Sequence, residues 1–217
     1  MKRHLKLWLS LCVVASALPA LAETHFDRVF APEDGLVSSY EKPARDEMCL
    51  NGSWKFQGDT DTSIPETASR SGEWDKTPIK IPSPWNVNAY SMGPNEFGGD
   101  FRAYPSYPKS WENLQAAWME KNVKVPNNWK DKRVVLHFGA VGGKMVVFVN
   151  GKRIGEGFDI FFAQDYDITG AIKLGADNEI LVKVVSSHTQ DKRGRYGRRE
   201  YIAGSFWGQF VSGLWQD

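Results

Sequence analysis

Six acidic side chains lie in the stretches where loops and strand ends are expected, and so are the first candidates for acid–base work: Glu96, Asp100, Asp159, Asp165, Asp167 and Glu200. A general acid and a general base must face one reacting group, and nothing in this spacing fixes such a pair. Asp159, Asp165 and Asp167 offer the hard oxygens that calcium takes, but they lack the glycine-bearing loop of an EF-hand and read as solvated or turn-capping residues. His25, His137 and His188 have no Cys or His at zinc-ligand spacing. His137 lies inside RVVLHFGAV, where a sheet position is expected. Cys49, without an adjacent histidine, reads as a half-buried structural thiol. No metal and no cofactor is expected.

Two aromatic and basic features remain. Eight tryptophans follow Trp8: Trp54, Trp74, Trp85, Trp111, Trp118, Trp129, Trp207 and Trp215. An indole offers a flat apolar face to sugar C–H groups and one N–H to a hydroxyl; it also fills sandwich cores. Trp54, Trp118 and Trp129, at or beside strands, are expected in the core, while Trp85, Trp111 and Trp207 adjoin long loops. The run DKRGRYGRREY at 191–201 holds five basic residues, Lys192, Arg193, Arg195, Arg198 and Arg199, and two tyrosines, Tyr196 and Tyr201. Guanidinium forks bind carboxylates and sulfates in pairs, although a solvated loop balanced by acidic neighbours is the plainer reading.

The elements that must position these residues begin after a leader. Lys2, Arg3 and Lys6, an apolar run from Leu7 to Leu18, and Ala20-Leu21-Ala22 form a signal-peptide pattern over residues 1–22. Its apolar run is too short for a spanning helix. An exported protein, periplasmic or secreted, is expected. Removing the leader takes three of the 27 basic residues and none of the 26 acidic ones. The near-neutral remainder has no global field to gather nucleic acid or an anionic membrane. Only Cys49 would remain, so stability must come from a packed core rather than from disulfides.

The 20 glycines, 11 prolines and 13% aromatic content favour β structure. After an irregular lead-in at 23–46, LNGSWKFQ at 50–57 alternates Trp54 and Phe56 with polar residues at period two. A short strand in IKIPSPWNV is stopped by Pro82 and Pro84. Within the long stretch 86–115, SWENLQAAW suggests a turn or two of helix with Ser110 as N-cap. Further strands are expected in AWMEKNVKV, in RVVLHFGAV at 133–141, in KMVVFVN at 144–150 and in NEILVKVVSSH at 178–188. Asn150-Gly151 predicts a two-residue type I′ hairpin. Seven or eight antiparallel strands in one domain, 47–217, make a sandwich of jelly-roll type.

In that order, LNGSWKF, IPSPWN, AWMEKNVKVPNNW, KRVVLHFGAVGGKMVVFVNGKRIGE, FAQDYDIT, GADNEILVKV and SGLWQD resemble the N-terminal sugar-binding domain of glycoside hydrolase family 2. The resemblance implies an all-β, antiparallel jelly-roll β-sandwich, galactose-binding-domain-like, and a glycoside or oligosaccharide as ligand. It also implies partner domains, immunoglobulin-like and then a (β/α)₈ barrel bearing two catalytic glutamates. The paired carboxyls of glycoside hydrolysis, about 5–5.5 Å apart for retention and about 6.5–9.5 Å for inversion, would then sit on the barrel. No catalytic residue is expected in this chain.

The resemblance also implies a recognition site. The loop before a Tyr-Pro pair corresponds to NEFGGDFRAYPSYP at 95–108. Where related β-galactosidases carry an asparagine, this chain has Phe101 or Tyr104; where they carry an aspartate before the SG[IL] segment, it has Trp207. Galactose is therefore disfavoured, and the candidate carbohydrate-binding residues are Asp100, Arg102, Tyr104, Tyr107 and Trp207. Within the apolar ending GSFWGQFVSGLWQD, Ser212 to Asp217 resembles the strand by which such enzymes leave the jelly roll. A domain cut from its barrel is expected, with an exposed edge near Phe210, Leu214 and Trp215. The alternatives are a free-standing carbohydrate-binding module and a structural jelly roll used in assembly.

Overall fold

The computed structural model describes residues 24–26, 35–86, 107–159, 161–186, 192–193, 199–200 and 212–216. Eleven strands appear among them: β1 Gly52–Asp59, β2 Ile79–Ile81, β3 Ala116–Lys124, β4 Val135–Phe138, β5 Ala140–Val149, β6 Lys152–Phe158, β7 Gln164–Asp167, β8 Asp177–Ser186, β9 Lys192–Arg193, β10 Arg199–Glu200 and β11 Gly213–Gln216. The described residues hold no α-helix, only short 3₁₀ turns. The protein is all-β. Its additional strands over the expected seven or eight are short.

One sheet dominates, ordered β11-β5-β8-β3-β1-β2, with β6 also paired to β5. Every pairing is antiparallel. The two-stranded ribbon β4–β7 forms separately and packs on one face of that sheet. Leu136 and Phe138 of β4 join Trp54, Phe56, Met119, Met145, Val147, Ile180, Val182 and Val184 in a single buried cluster. Gly155 and Gly157 of β6 leave room for Tyr166 of β7; a Cβ at Gly155 would lie 2.9 Å from that ring.

Alternation decides which residues reach this core, because successive side chains of a strand point to opposite faces. The opposite face is buried too. Ile64, Ala68 and Trp74, from the segment between β1 and β2, lie over Trp118, Val146, Phe148 and Leu181. With both faces covered, β5 is apolar without a break from Met145 to Val149, as fully buried strands are.

The hairpin at Asn150-Gly151 is as expected, with φ of 51° and 78° and Val149 opposite Lys152. Asn150 also ties the turn to the fold, donating through Nδ2 to Ala171 O and Asn178 Oδ1, each at 2.8 Å, and accepting from Glu179 N at 3.1 Å. An added Cβ at Gly151 meets nothing within 4 Å. Gly151→Ala should therefore cost about 1 kcal/mol from backbone conformation alone. A chemical-denaturation midpoint unchanged by the substitution would contradict that reading.

Two expectations fail. SWENLQAAW makes only the 3₁₀ turn Lys109–Trp111, with Pro108 rather than Ser110 at its N-cap, before β3 starts at Ala116. Core packing wins over helix propensity there: Trp111 is buried, its ring centroid lies 3.8 Å from that of Phe56, and its Nε1 donates to Asp75 at 2.9 Å. RVVLHFGAV divides after Phe138, because β4 pairs with β7 while β5, from Ala140, pairs with β8.

Candidate functional site

The five sequence-predicted residues fall differently. Asp100, Arg102, Tyr104 and Trp207 lie outside the described residues. Tyr107 is described, and it is a core residue. It is 4% exposed, its ring centroid lies 4.9 Å from that of Trp111, and its hydroxyl accepts from Lys80 N at 3.0 Å. Burial pushes its phenol pKa up. It pins the end of the 87–106 segment instead of presenting a free ring.

The stems of the segments carrying the other four residues meet at one place. Ser212 N donates to Asn86 Oδ1 at 3.2 Å, and Trp85 N donates to Ser212 O at 2.9 Å. The hydroxyls of Ser186 and Ser212 are 2.7 Å apart, and Ser186 N donates to Gln115 O at 2.8 Å. Asn86 precedes residues 87–106; Ser186 and Ser212 bracket 187–211. Asn86, Ser186 and Ser212 are all buried, so these bonds are made in a setting where a lost partner is costly. Phe56 joins the ends of 87–106 from below, against Trp111 on one side and Trp85, at 6.0 Å, on the other.

Sequence reasoning gave no sign of this junction, since Asn86, Ser186 and Ser212 are ordinary polar residues. It also missed that the basic run contains an antiparallel pairing, Arg199 with Arg193 and Glu200 with Lys192. The expected exposed edge is corrected at Leu214, which is 1% exposed because β11 pairs with β5 and Leu214 faces the main core. Phe210 lies outside the described residues; Trp215 is half-buried beside Phe161.

Of the six acidic candidates, Glu96 and Asp100 lie outside the described residues and three others do structural work. Asp159 accepts from Phe161 N at 2.9 Å, Asp165 pairs with His137 Nδ1 at 2.7 Å, and Asp167 accepts from the hydroxyl of Thr169 at 2.7 Å. No metal-holding group of His, Cys, Asp and Glu occurs among the described residues. Bonds from Thr169, then from Arg133, lower the Asp167 pKa to about 2; bonds from Ser63, then the charge of Lys183, do the same for Asp61. A carboxylate lowered in the folded state gives its full stabilisation above the unfolded value of about 4 and loses it as pH falls through the folded one. The urea midpoint should thus fall between pH 4 and pH 2, and Asp167→Asn should make that fall shallower. Superimposable pH profiles would contradict this.

One cation is fully buried. Lys183 of β8 is 1% exposed and lies 3.0 Å from Asp59 and 3.3 Å from Asp61. Its ammonium sits 5.4 Å from the Trp118 ring centroid, and Trp118 Nε1 donates to Asp59 at 2.9 Å. These contacts fasten the start of the covering segment onto the sheet.

The fold and the junction define an all-β antiparallel domain in which the residues flanking 87–106 and 187–211 meet at one place. Residues 48–199 match the family model described as "Glycosyl hydrolases family 2, sugar binding domain", and the chain belongs to that family. It is similar to the β-glucuronidase of Bacteroides fragilis, 24% identical over 75% of this chain and 20% of that protein. It is also similar to the β-glucuronidase of Felis catus, 26% identical over 71% of this chain and 23% of that one. Among solved structures, the β-glucuronidase of Bacteroides uniformis matches with a TM-score of 0.52 and 24% identity, over 78% of this chain and 17% of that one. The chain spans about a fifth of the length of the relatives it matches.

Proposed function

We propose that this chain is the exported carbohydrate-recognition part of a β-glycosidase, with a jelly-roll topology, and that it grips the sugar through its two co-rooted loops. Asp100, Arg102 and Tyr104 from one loop and Trp207 from the other make the contacts; Tyr107 anchors the first loop in the core. The single observation that carries this reading is the buried junction of Asn86, Ser186 and Ser212. It brings together the residues flanking 87–106 and 187–211, which supports one site shared by residues 100–104 and 207.

Hydrolysis itself is assigned to paired carboxylates on a barrel domain working beside this one. The name β-glucuronidase carried by most of the relatives, one other being a β-galactosidase, and the basic run between Ser186 and Ser212 favour a glycoside bearing a uronic acid, whose carboxylate suits an arginine fork. Calorimetric titration of the chain with p-nitrophenyl β-glucuronide tests the reading. Arg102→Ala and Trp207→Ala should each weaken binding about tenfold, the size of one lost charged hydrogen bond or one stacked ring. Affinities unchanged by both substitutions would refute it.

A further inference from the structure

A groove of about 520 Å³ opens elsewhere on the molecule, lined by Trp129, Arg133, Lys132, Asp167, Thr169 and Leu174 among others. It lies at the end of the sheet where β8 begins and the β5–β6 hairpin turns, since Asn150 reaches Ala171 there. The loop junction lies at the other end of β8, at Ser186. Ten residues of strand separate the two ends, roughly 30 Å at the usual rise.

The groove joins an apolar floor to a charged rim. Trp129 is half-buried, held at its edge by a 3.0 Å bond from Nε1 to Asp46, and Leu174 is 36% exposed. On the rim, the Arg133 side chain is 73% exposed and spends only its Nε, on Asp167 at 2.9 Å. Both terminal nitrogens of that guanidinium are without hydrogen-bond partners among the described residues; the Lys132 ammonium acts on Asp46 by charge alone. Asp167 stays ionised to low pH and fixes the fork's orientation. A flat apolar patch beside an oriented end-on guanidinium matches a sugar ring carrying an acid group, because the ring packs by its C–H face while the acid takes two parallel N–H bonds. The volume falls in the usual range for small-molecule sites, and its openness at the surface suits a chain that enters and leaves.

We propose that this groove is a second carbohydrate site, for an acidic oligosaccharide, at the end of β8 opposite the junction of Asn86, Ser186 and Ser212. The sugar ring lies on Trp129 and Leu174, and its carboxylate or sulfate sits on Arg133 with Lys132 alongside. Such a site would hold a polysaccharide strand while the loops address one of its sugars. It does not depend on the loop reading.

The test is calorimetric or NMR titration of the full chain with a hyaluronan hexasaccharide and, separately, cellohexaose. In an Arg102→Ala, Trp207→Ala background, which removes the loop contacts, the acidic sugar should still bind at least about tenfold tighter than the neutral one, and adding Arg133→Met should erase that difference, the worth of a bidentate charged pair. Arg133 is exposed, so this variant keeps its fold; Leu174→Lys gives a second break in the floor without touching the partly buried indole. Equal binding of both sugars, no binding of either, or full binding by Arg133→Met and Leu174→Lys alike would overturn the proposal.

Discussion

Phe56→Ala should lower the free energy of unfolding by about 3–5 kcal/mol, the cost of emptying a fully buried aromatic site. Phe56 has no solvent exposure and stands in β1 opposite Met119 of β3. Its ring meets both Trp111 and Trp85, the first just beyond the 87–106 segment and the second just before it. The same substitution removes the floor beneath both stems, so sugar affinity should fall even at temperatures where the variant is fully folded. Phe56→Leu, which keeps most of the volume, should cost less than about 1.5 kcal/mol. Urea unfolding followed by tryptophan fluorescence measures both. A cost for the alanine variant below 1.5 kcal/mol would show that the aromatic cluster is not the keystone described here.

Lys183→Ala should be nearly as damaging, by about 3–5 kcal/mol, because it strips the cation from a carboxylate already drawn out of water. The Asp59 side chain is only 23% exposed and keeps its bond from Trp118, while the lysine stem that lies buried on the sheet vanishes. Pairing, not burial alone, is at stake. Lys183→Met, which keeps the stem but not the charge, should therefore still destabilise, whereas the triple change Lys183→Met, Asp59→Asn and Asp61→Asn should recover part of the loss. Denaturation midpoints of the three variants would decide it. A triple variant no more stable than Lys183→Met would mean that only packing had been lost.

Much of this architecture can be read from the residues where local and global signals agree. Trp54 and Phe56 alternate with polar neighbours in β1 and are buried accordingly; Asn150-Gly151 needs positive φ twice and obtains it. The ordered segments from Leu50 onward also point to the family that residues 48–199 match. Legibility ends where distant chain segments decide. Lys183 sits at an outward position of β8, where alternation alone would place it in water; the covering segment at 60–76 buries it. Trp111 ends a single 3₁₀ turn, packed on the ring of Phe56, where a longer helix is expected from the sequence. Tyr107 has the composition of a sugar platform, yet its hydroxyl is held by the β2 backbone. The junction of Asn86, Ser186 and Ser212 joins residues as many as 126 positions apart, a separation that no local pattern records.

Hydrogen exchange of the chain, with and without a saturating β-glucuronide, tests the central claim most directly. Two loops that share one root and grip one sugar should gain protection together, in peptides covering 95–108 and 204–211, at the same ligand concentration. Protection confined to one of these segments, or absent from both while the sugar binds elsewhere, would contradict the account.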